Sequence, residues 1–446
     1  MRIVQQQLLA GIIKMINKKL LEKDEITFRL HLRSLNKPAS CFEWHNPLMA
    51  DGIPIYARQK ATYSDPNIRV GYNNFQVIQR TKAGYLAGDI QRTYSDNIPD
   101  EVKAKYSEFD NLNHFKSFLK KLMFSCSGWG NTYSLCYLDE ANNVRIKQVQ
   151  SWQAKVEYDD NGEPLKGYVY YPIDERMHVW EYDGVYVTEW IASKSGASYI
   201  LLAEPKEHGF KGIPLIEWCN NDNKQGNSEL AVPLMDAYDR LISDNLTESA
   251  TFRAAYLLLK NMGFLDDKTK AEMAKTGVFS GGADADARFL TKDINPEFIK
   301  FVMSETWSGI WIVSSSVDPK ALASLTNATA FQISQMYRNM EEDCKDTEAE
   351  WKISLEYLDR ILKSYWTGLD VRSVNDYSTE DINYDFKRNI PNDVMTWLKD
   401  MLQAGGKLPQ KEIFIKAGYT EQKAEELVQE AENESYEMLE DETAIG

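Results

Sequence analysis

Residue types that commonly carry out catalysis or bind metals are scattered along this chain. Its histidines lie far apart with no i,i+4 pair, so surface or loop positions, rather than metal ligands or a general base, are expected for His31, His45, His114, His178 and His208. The cysteines lack zinc-like spacing, and reduced, buried thiols are expected at Cys41, Cys126, Cys136, Cys219 and Cys344. These patterns predict no catalytic residue, no metal ligand and no bound cofactor.

Short motifs built from glycines or acidic residues are better explained as turns than as binding sites. Gly128 and Gly130 lack the third glycine of a dinucleotide fingerprint and precede strands, so a turn is expected there. The acidic segment 159–163 lacks the spacing of an EF-hand, which favours a plain hairpin turn. Asp284 and Asp286 follow a Gly-Gly pair and are expected at an exposed loop tip.

Carboxylates are numerous enough that pairs from distant positions can meet in the folded chain. The sequence contains 67 aspartates and glutamates. Because nucleases and glycosidases can be built from such pairs, a carboxylate-based nucleic-acid- or glycan-processing enzyme stays open as an alternative. No motif favours it, since the sequence has neither a nucleophile elbow nor a Walker loop. We therefore expect a protein that is not an enzyme.

Composition and charge limit the classes of function. The chain has 446 residues, 43% of them hydrophobic, which is enough for two or three domains with real cores. A net charge of −16 disfavours a basic, phosphate-neutralising face, but it does not exclude a protein that handles DNA without gripping it, because an acidic wall repels phosphate. Residues 1–22 are expected to form an amphipathic helix rather than a signal peptide, and no apolar run is long enough to span a membrane.

The elements that would position a site are clearest in residues 227–366. The apolar pattern predicts one helix over 228–250 and a second over 296–314. Between them, the segments 255–259 and 288–290 are predicted to be short strands. A chain that goes out on one helix, forms a small β insert and returns on another builds a hairpin arm. Such an arm suits assembly more naturally than catalysis.

Before this arm, the pattern predicts helices followed by hairpins. A helix within 70–94 is expected to turn into a strand at 90–93, and a further helix is expected over 111–126. From residue 133 onwards, Asn-Asn, Asn-Gly, Asp-Gly and Ser-Gly turns separate apolar segments, and a buried strand is expected at 215–218. Because such hairpins are antiparallel, the predicted fold class is α+β rather than doubly wound.

A polar loop, expected to be flexible, and then a long helix follow the arm. Apolar residues recur at three- to five-residue intervals over 327–366. A core helix of a globular domain would show the same stripe, but this length favours a helix that spans several layers or packs against neighbouring subunits. A strand is predicted at 382–386, then short helices. Residues 421–446 contain ten carboxylates and one lysine, which predicts a solvated acidic tail.

Short motifs follow one another in a particular order over most of the chain. They are Gly84-Tyr85-Leu86-Ala87-Gly88, Gly130-Asn131-Thr132-Tyr133, His208-Gly209-Phe210 with Ile213-Pro214 and Asn220-Asn221, Leu234-Met235-Asp236-Ala237-Tyr238-Asp239 with Ser243-Asp244, and Phe386-Lys387-Arg388-Asn389-Ile390-Pro391. In this order they resemble the portal proteins of tailed double-stranded DNA bacteriophages of the siphophage type, which form the head–tail connector. One departure is plain: Thr326-Asn327-Ala328-Thr329-Ala330 replaces the Ser-Gly-x-Ala element that often opens the family's long helix.

The resemblance implies a portal-like α+β architecture with an antiparallel-sheet wing body, a helical stem hairpin carrying a small β clip, a long wing helix and a helical C-terminal crown. The implied divisions are a wing over 1–227, a stem helix over 228–253, a clip over 254–295, a second stem helix over 296–316, a tunnel loop over 317–326, the long wing helix with a return strand over 327–391, and a crown with the acidic tail over 392–446.

The resemblance also implies a function. The chain would form a dodecameric ring at one capsid vertex of the virion, assembled in the host cytoplasm, as the channel for packaging and ejecting double-stranded DNA without sequence specificity. Terminase, which would hydrolyse the ATP, and the head–tail adaptor would dock on the clip, and the major capsid or scaffolding protein would be a further partner. Another phage head structural or adaptor protein stays open as an alternative.

The resemblance places candidate site residues in two segments. In the tunnel loop, the residues expected to face DNA are Asp318, Lys320, Ser324, Thr326 and Asn327. In the clip, the residues expected to dock partners are Phe264, Lys268, Lys270, Asp284 and Asp286. Lys320 is the one cation of its loop, so a ring of such lysines could touch the DNA backbone transiently.

Overall fold

A computed structural model of the chain describes residues 30–31, 33–34, 54–60, 66–174, 176–193, 199–251, 256–260, 266–268, 271, 275, 286–290, 295–324, 330–368, 379–388, 411 and 428. They belong to two units, one formed by Met1–Asp318 with Asn339–Arg388 and the other by Pro319–Arg338 with Asn389–Gly446. The predicted N-terminal helix over 1–22 lies outside the described residues. The expected crown with its acidic tail also lies outside the described residues, except for residues 411 and 428.

Helices precede the hairpins in the first unit. They are α1 (Asn74–Leu86), α2 (Asp100–Asn113) and α3 (Phe115–Trp129). The Asn73 side chain caps α1 by accepting the backbone N–H of Gln76 at 3.3 Å. Gly130 ends α3 with a φ of +91°, a conformation that residues with a Cβ rarely adopt. The predicted turn at Gly128 and Gly130 is therefore the end of a helix.

The strands of the body are all antiparallel to their neighbours. In chain order they are β1 (Asp89–Tyr94), β2 (Asn131–Leu138), β3 (Val144–Val149), β4 (Ala154–Tyr158), β5 (Pro164–Ile173), β6 (Arg176–Tyr182), β7 (Tyr186–Ala192), β8 (Tyr199–Leu201), β9 (Lys206–Glu207) and β10 (Leu215–Cys219). One sheet has the order β10-β2-β3, and a six-stranded sheet has the order β4-β5-β6-β7-β8 with β9 also paired to β7. The predicted α+β class and the predicted hairpins are confirmed.

The arm has the predicted order of helix, strand pair and helix. It consists of α4 (Asn227–Leu230), α5 (Val232–Thr251), β11 (Tyr256–Lys260), β12 (Asp286–Leu290) and α6 (Pro296–Val313). β11 and β12 pair antiparallel, from Tyr256 opposite Leu290 to Lys260 opposite Asp286. The Asn295 side chain caps α6 by accepting the backbone N–H groups of Glu297 at 3.1 Å and Phe298 at 3.2 Å.

The segment after α6 differs from the expected polar loop. It contains a short helix, α7 (Pro319–Ser324), before the long helix α8 (Ala330–Thr367). Proline is favoured in the first turn of a helix, and the following Lys-Ala-Leu-Ala residues are good helix formers, so local propensity explains the difference. The return strand β13 (Ile382–Lys387) pairs antiparallel with β1 and alternates buried and exposed residues, as expected for a strand with one covered face.

The core of the first unit lies where α8 covers the sheet β10-β2-β3. Trp218 of β10 and Trp351 of α8 are both fully buried, with ring centroids 4.9 Å apart. The Trp218 indole N–H donates to Ser134 Oγ at 2.8 Å, which satisfies its polar atom inside the core. The apolar stripe of α8 is also buried, at Met340, Cys344, Trp351, Leu355, Leu358 and Leu362. Over these residues, α8 is therefore a core helix of its own chain.

Other expectations are wrong in detail. The helix expected over 111–126 is two helices, because His114 adopts a left-handed φ of +47° between α2 and α3. His31 is half-buried rather than a freely exposed residue: its ring packs against Trp129 and Trp152, and burial lowers its pKa to about 4. His178 lies within strand β6, where its Nδ1 is 3.2 Å from Glu189 Oε1. Asp286 belongs to β12 rather than to a loop tip. None of the described helices is both long and apolar enough to cross a membrane.

Candidate functional site

The arm leaves the body through a buried polar cluster, named here the junction cluster: Lys82, Asn220, Asn227, Asp343 and Thr347. The Lys82 ammonium, from α1, donates to Asn220 Oδ1 at 2.9 Å, Asn227 Oδ1 at 2.9 Å and Asp343 Oδ2 at 2.5 Å. Thr347 Oγ1 of α8 donates to the carbonyl of Asn220 at 2.7 Å. Because the Lys82 side chain is only 3% exposed, its charge is compensated by the protein itself.

The junction cluster holds both ends of the arm. Asn227 is the first residue of α4, and its side-chain Nδ2 donates to the carbonyl of Ser314, directly after the end of α6, at 3.2 Å. Ser228 Oγ donates to the carbonyl of Phe75 in α1 at 3.0 Å. The outgoing and returning helices are thus tied to one another and to the body by hydrogen bonds at the base of the arm.

Glycines allow the backbone to approach closely beside this cluster. A Cβ on Gly226 would lie 2.2 Å from the carbonyl oxygen of Gly128. A Cβ on Gly130 would lie 1.9 Å from the carbonyl oxygen of Lys224. Since these neighbours are backbone atoms, they cannot turn away as a side chain would. The end of α3 and the loop before α4 therefore require glycine at these positions.

A buried carboxylate, Glu217 on β10, lies near the junction cluster and has a structural environment. Its Oε1 accepts from Asn131 Nδ2 at 2.7 Å and Tyr133 OH at 3.0 Å, and its Oε2 accepts from Tyr158 OH at 2.9 Å and Lys224 Nζ at 2.8 Å. Burial raises the pKa of Glu217, but the Lys224 cation and the hydrogen-bond donors lower it by more than burial raises it. The pKa of Glu217 therefore lies below its usual value. Both carboxylate oxygens are occupied by protein partners.

A second buried carboxylate, Asp359 on α8, links the long helix to the sheet β1-β13. Tyr384 OH is 2.9 Å from both of its oxygens, and the Arg92 guanidinium bonds the same Tyr384 hydroxyl through Nε at 2.8 Å. Arg92 also donates to Asp110 at 2.7 Å and lies 4.4 Å from the Tyr106 ring centroid. Burial raises the pKa of Asp359 to about 7, although Arg92 and Tyr384 act in the opposite direction.

One pair of carboxyl groups does converge at the surface. Glu350 forms a hydrogen bond with the exposed Asp222, and burial together with Asp222 raises the pKa of Glu350. Within the part of the chain that the structure describes, no group of three or more histidines, cysteines, aspartates and glutamates could hold a metal ion. The turn at 159–163 is a hairpin turn, as expected, in which Asp159 Oδ1 accepts the backbone N–H groups of Asn161 and Glu163 at 2.9 Å.

The described part of the expected tunnel loop begins close to α6. The Trp307 indole N–H donates to Asp318 Oδ1 at 2.9 Å, and Val317 is buried. Lys320 is exposed on α7, and Ser324 is exposed at the end of that helix, where its hydroxyl donates to the carbonyl of Ala321. Asp318 is therefore an anchoring residue as well as a candidate channel residue. Thr326 and Asn327 lie outside the described residues.

The expected clip residues are described only in part. Lys268 is an exposed residue in helical conformation, and Asp286 is the first residue of β12. Phe264, Lys270 and Asp284 lie outside the described residues. The structure thus describes a two-stranded insert between the two helices of the arm, and of these five residues it describes Lys268 and Asp286.

The α6 helix has one covered and one uncovered apolar face. Trp307, Ile310 and Trp311 are buried on the face that packs against Met235 and Tyr238 of α5. On the other face, large apolar side chains are exposed: Phe298 by 64%, Phe301 by 62% and Ile312 by 69%. Three large exposed apolar side chains along one face of a helix are more typical of an interaction surface than of a face that contacts only solvent.

Sequence reasoning missed the junction cluster and the uncovered face of α6. Nothing distinguishes Lys82 from the other polar residues of α1 in the sequence, because its partners lie more than a hundred positions away. The asparagines of the loop 220–227, which leads into the arm, were the available signal. For α6, the signal was the pair of phenylalanines three positions apart in a helix that is apolar on more than one side.

Comparisons with known proteins agree with the resemblance. Residues 40–438 match the family described as phage portal protein, SPP1 Gp6-like. The portal protein of Clostridium phage phiCD119 is 20% identical over 373 residues, which is 76% of this chain and 80% of that protein. Two solved structures are also similar. A chain of the virion of a native gene transfer agent particle has a TM-score of 0.43 at 12% sequence identity. A chain of the neck of an empty gene transfer agent particle, computed with C6 symmetry, has a TM-score of 0.44 at 13% sequence identity. Each match covers 78% of this chain and 89% of the matched chain. Because the family match extends over most of the sequence, this chain belongs to the phage portal protein family, SPP1 Gp6-like.

Proposed function

We propose that this portal chain assembles into a closed dodecameric ring at one capsid vertex, where the ring is the channel for DNA packaging and ejection. The observation that carries the proposal is the uncovered apolar face of α6. One chain buries only the opposite face of this helix, against α5. A second copy that packs on Phe298, Phe301 and Ile312 would remove this apolar surface from water. When identical subunits contact one another through two different surfaces, they form a closed ring if the rotation that relates neighbouring subunits adds up to a full turn.

Substituting the uncovered face tests the ring. The double variant Phe298→Glu/Phe301→Glu places two charges on a surface that the ring would bury, so we expect purified rings to become smaller species in negative-stain images and in native mass measurements. Leu165→Glu is the matched control, since Leu165 is 55% exposed on β5, which is not part of the arm, and it should leave the ring intact. A wild-type chain that is a compact monomer in the presence of its virion partners would contradict the proposal.

The channel would pass double-stranded DNA without sequence specificity. A net charge of −16 supports this, because each fixed phosphate contact would add electrostatic friction to the moving duplex. Lys320, exposed on α7, is the candidate for transient backbone contact. We expect Lys320→Ala to change the length of packaged DNA or its retention with the ring intact, and Lys320→Arg to preserve both. An unchanged packaged length in the alanine variant would count against this role.

The clip would dock the terminase motor during packaging and the head–tail adaptor afterwards. Its support is the two-stranded insert at the far end of the arm, together with the exposed Lys268. We expect Lys268→Glu to weaken terminase binding to assembled rings, whereas Lys103→Glu, on α2 of the body, should not. Equal terminase binding by both variants would remove Lys268 from the docking surface.

The proposed role is not enzymatic, and ATP hydrolysis would belong to the motor. Portal proteins are virion components. The capsid vertex as the position in the virion, assembly in the host cytoplasm, and contact with the major capsid or scaffolding protein are parts of the same proposal. Purified wild-type rings that cleave DNA in a metal-dependent reaction would favour the carboxylate-based enzyme instead.

A further inference from the structure

A concave cleft with a cavity volume of about 590 Å³ is lined by residues of helices α1 and α3, by His31 and Ser34, and by Gln148 and Gln150. Its lining includes Arg80 from α1 and Ser117, Lys120, Lys121, Phe124 and Trp129 from α3. We name it the cationic cleft, because none of the residues that line it is acidic. In a chain with a net charge of −16, a site of this sign attracts anionic groups that the rest of the surface repels.

The three cations of the cleft lack the ion-pair partners that several other lysines of the molecule have. Arg80, Lys120 and Lys121 are all exposed, and among the described residues no carboxylate forms a salt bridge with them. Several other lysines have local partners: Lys103 with Asp100, Lys116 with Asp89, Lys300 with Glu297 and Lys345 with Glu342. The charges in the cleft are therefore available to a ligand.

Two buried polar atoms of the lining residues point to the kind of ligand. Trp129 is 3% exposed, and its indole N–H has no acceptor within the described structure. Gln150 Oε1 is likewise buried and has no donor there. Buried polar groups are nearly always paired, so a missing donor and a missing acceptor in one cleft suggest a ligand that supplies both. A polypeptide does so through its backbone N–H and its carbonyl or carboxylate oxygens.

We propose that the cationic cleft binds an acidic segment of a partner protein. Carboxylates of the segment would lie beside Arg80, Lys120 and Lys121, one of its oxygens would accept from Trp129, and a backbone N–H would donate to Gln150. Duplex DNA fits less well. A duplex presents a convex surface without backbone donors, and three cations release few counterions. This binding site lies in the body, and the proposal holds independently of ring formation.

A binding measurement on the full-length chain tests the proposal. The probe is a fluorescent peptide in which glutamates alternate with leucines, followed by fluorescence anisotropy. We expect Lys120→Gln/Lys121→Gln to weaken binding about tenfold, and rising salt to weaken wild-type binding. Lys103→Gln, at a partly exposed lysine of α2 that pairs with Asp100, is the control and should bind as wild type. No binding by the wild type, or equal binding by the double variant, would overturn the proposal.

The Trp129 indole provides an independent readout. We expect Trp129→Phe to bind the peptide several-fold more weakly while its melting temperature is maintained, since its N–H has no partner to lose in the unbound protein. In the comparison variant Trp218→Phe, a paired N–H is lost, so its melting temperature should fall while peptide binding is kept. A short DNA duplex that binds more tightly than the peptide, with the same variants weakening it, would make the cleft a nucleic-acid site and refute the proposal.

Discussion

Replacing the buried lysine of the junction cluster is the most direct test of how the arm is held. Lys82→Met keeps the length of the side chain and removes its ammonium group. Asn227 Oδ1 keeps one donor, because Asn220 Nδ2 also bonds to it at 3.0 Å. Asn220 Oδ1 loses Lys82 as its donor, and an unsatisfied buried acceptor costs about 1–3 kcal/mol. Asp343 loses its cation but can be hydrated, since its side chain is 21% exposed.

These terms give the expected size of the effect. Breaking a fully buried ion pair costs about 3–5 kcal/mol, and hydration of Asp343 reduces this, so we expect Lys82→Met to lower the free energy of unfolding by about 3 kcal/mol. Urea unfolding followed by tryptophan fluorescence measures this free energy. Lys345→Met is the control, because Lys345 is 56% exposed and pairs only with Glu342 in the described structure, and its effect should stay within about 0.5 kcal/mol.

A double-mutant cycle separates the ion pair from the loss of a side chain. Asp343→Asn combined with Lys82→Met should cost less than the two single variants added together, with a coupling of about 1–2 kcal/mol. Hydrogen exchange in residues 220–227 should also increase in Lys82→Met, because that loop loses its anchor on α1. If Lys82→Met unfolds within 0.5 kcal/mol of the wild type, or if the two substitutions are additive, then the ammonium does not stabilise the base of the arm as argued.

Two further predictions concern backbone approach and a buried acid. Gly226→Ala should lower the free energy of unfolding by about 2 kcal/mol or more, because its Cβ would meet backbone atoms. Gly84→Ala is the control: a Cβ at Gly84 would have no atom within 4 Å, so this substitution should be neutral or stabilising. Similar urea midpoints for the two variants would contradict this prediction. Asp359 has a folded pKa of about 7, above its unfolded value, so its protonation stabilises the native state as pH falls. From pH 8 to pH 5 the melting temperature of the wild type should therefore rise relative to Asp359→Asn, and parallel profiles would refute the raised pKa.

The carboxylates show how the structure bears on the enzymatic alternative. Glu217 and Asp359 are both deeply buried, and tyrosine hydroxyls and cationic side chains surround both. A carboxylate whose oxygens are occupied by protein donors is a poor acceptor of a substrate proton. Their physical role is to join secondary-structure elements: Glu217 joins β10 to β2 and β4, and Asp359 joins α8 to β13.

Local sequence patterns were sufficient to predict the main helices and strands and their order. Asn-Gly and Asp-Gly turns between alternating apolar residues are local signals, and they predicted the antiparallel hairpins from β2 to β7 correctly. The arm was predicted for the same reason, since the 3.6-residue periodicity of α5 and α6 and the apolar runs at β11 and β12 are visible within short windows. The order of short motifs then led to the correct family.

The polar residues that hold the fold together, in contrast, are identified by contacts between distant parts of the chain. Lys82 meets Asn220 and Asp343 across 138 and 261 positions of the chain, and no periodicity encodes a contact at that separation. Burial likewise cannot be deduced from residue type: His31 is half-buried against two tryptophans, whereas Phe298 and Phe301 are left exposed on α6. Local patterns specify secondary structure because they act over one or two turns, while burial, pKa shifts and hydrogen-bond partners depend on what the rest of the fold places next to each side chain.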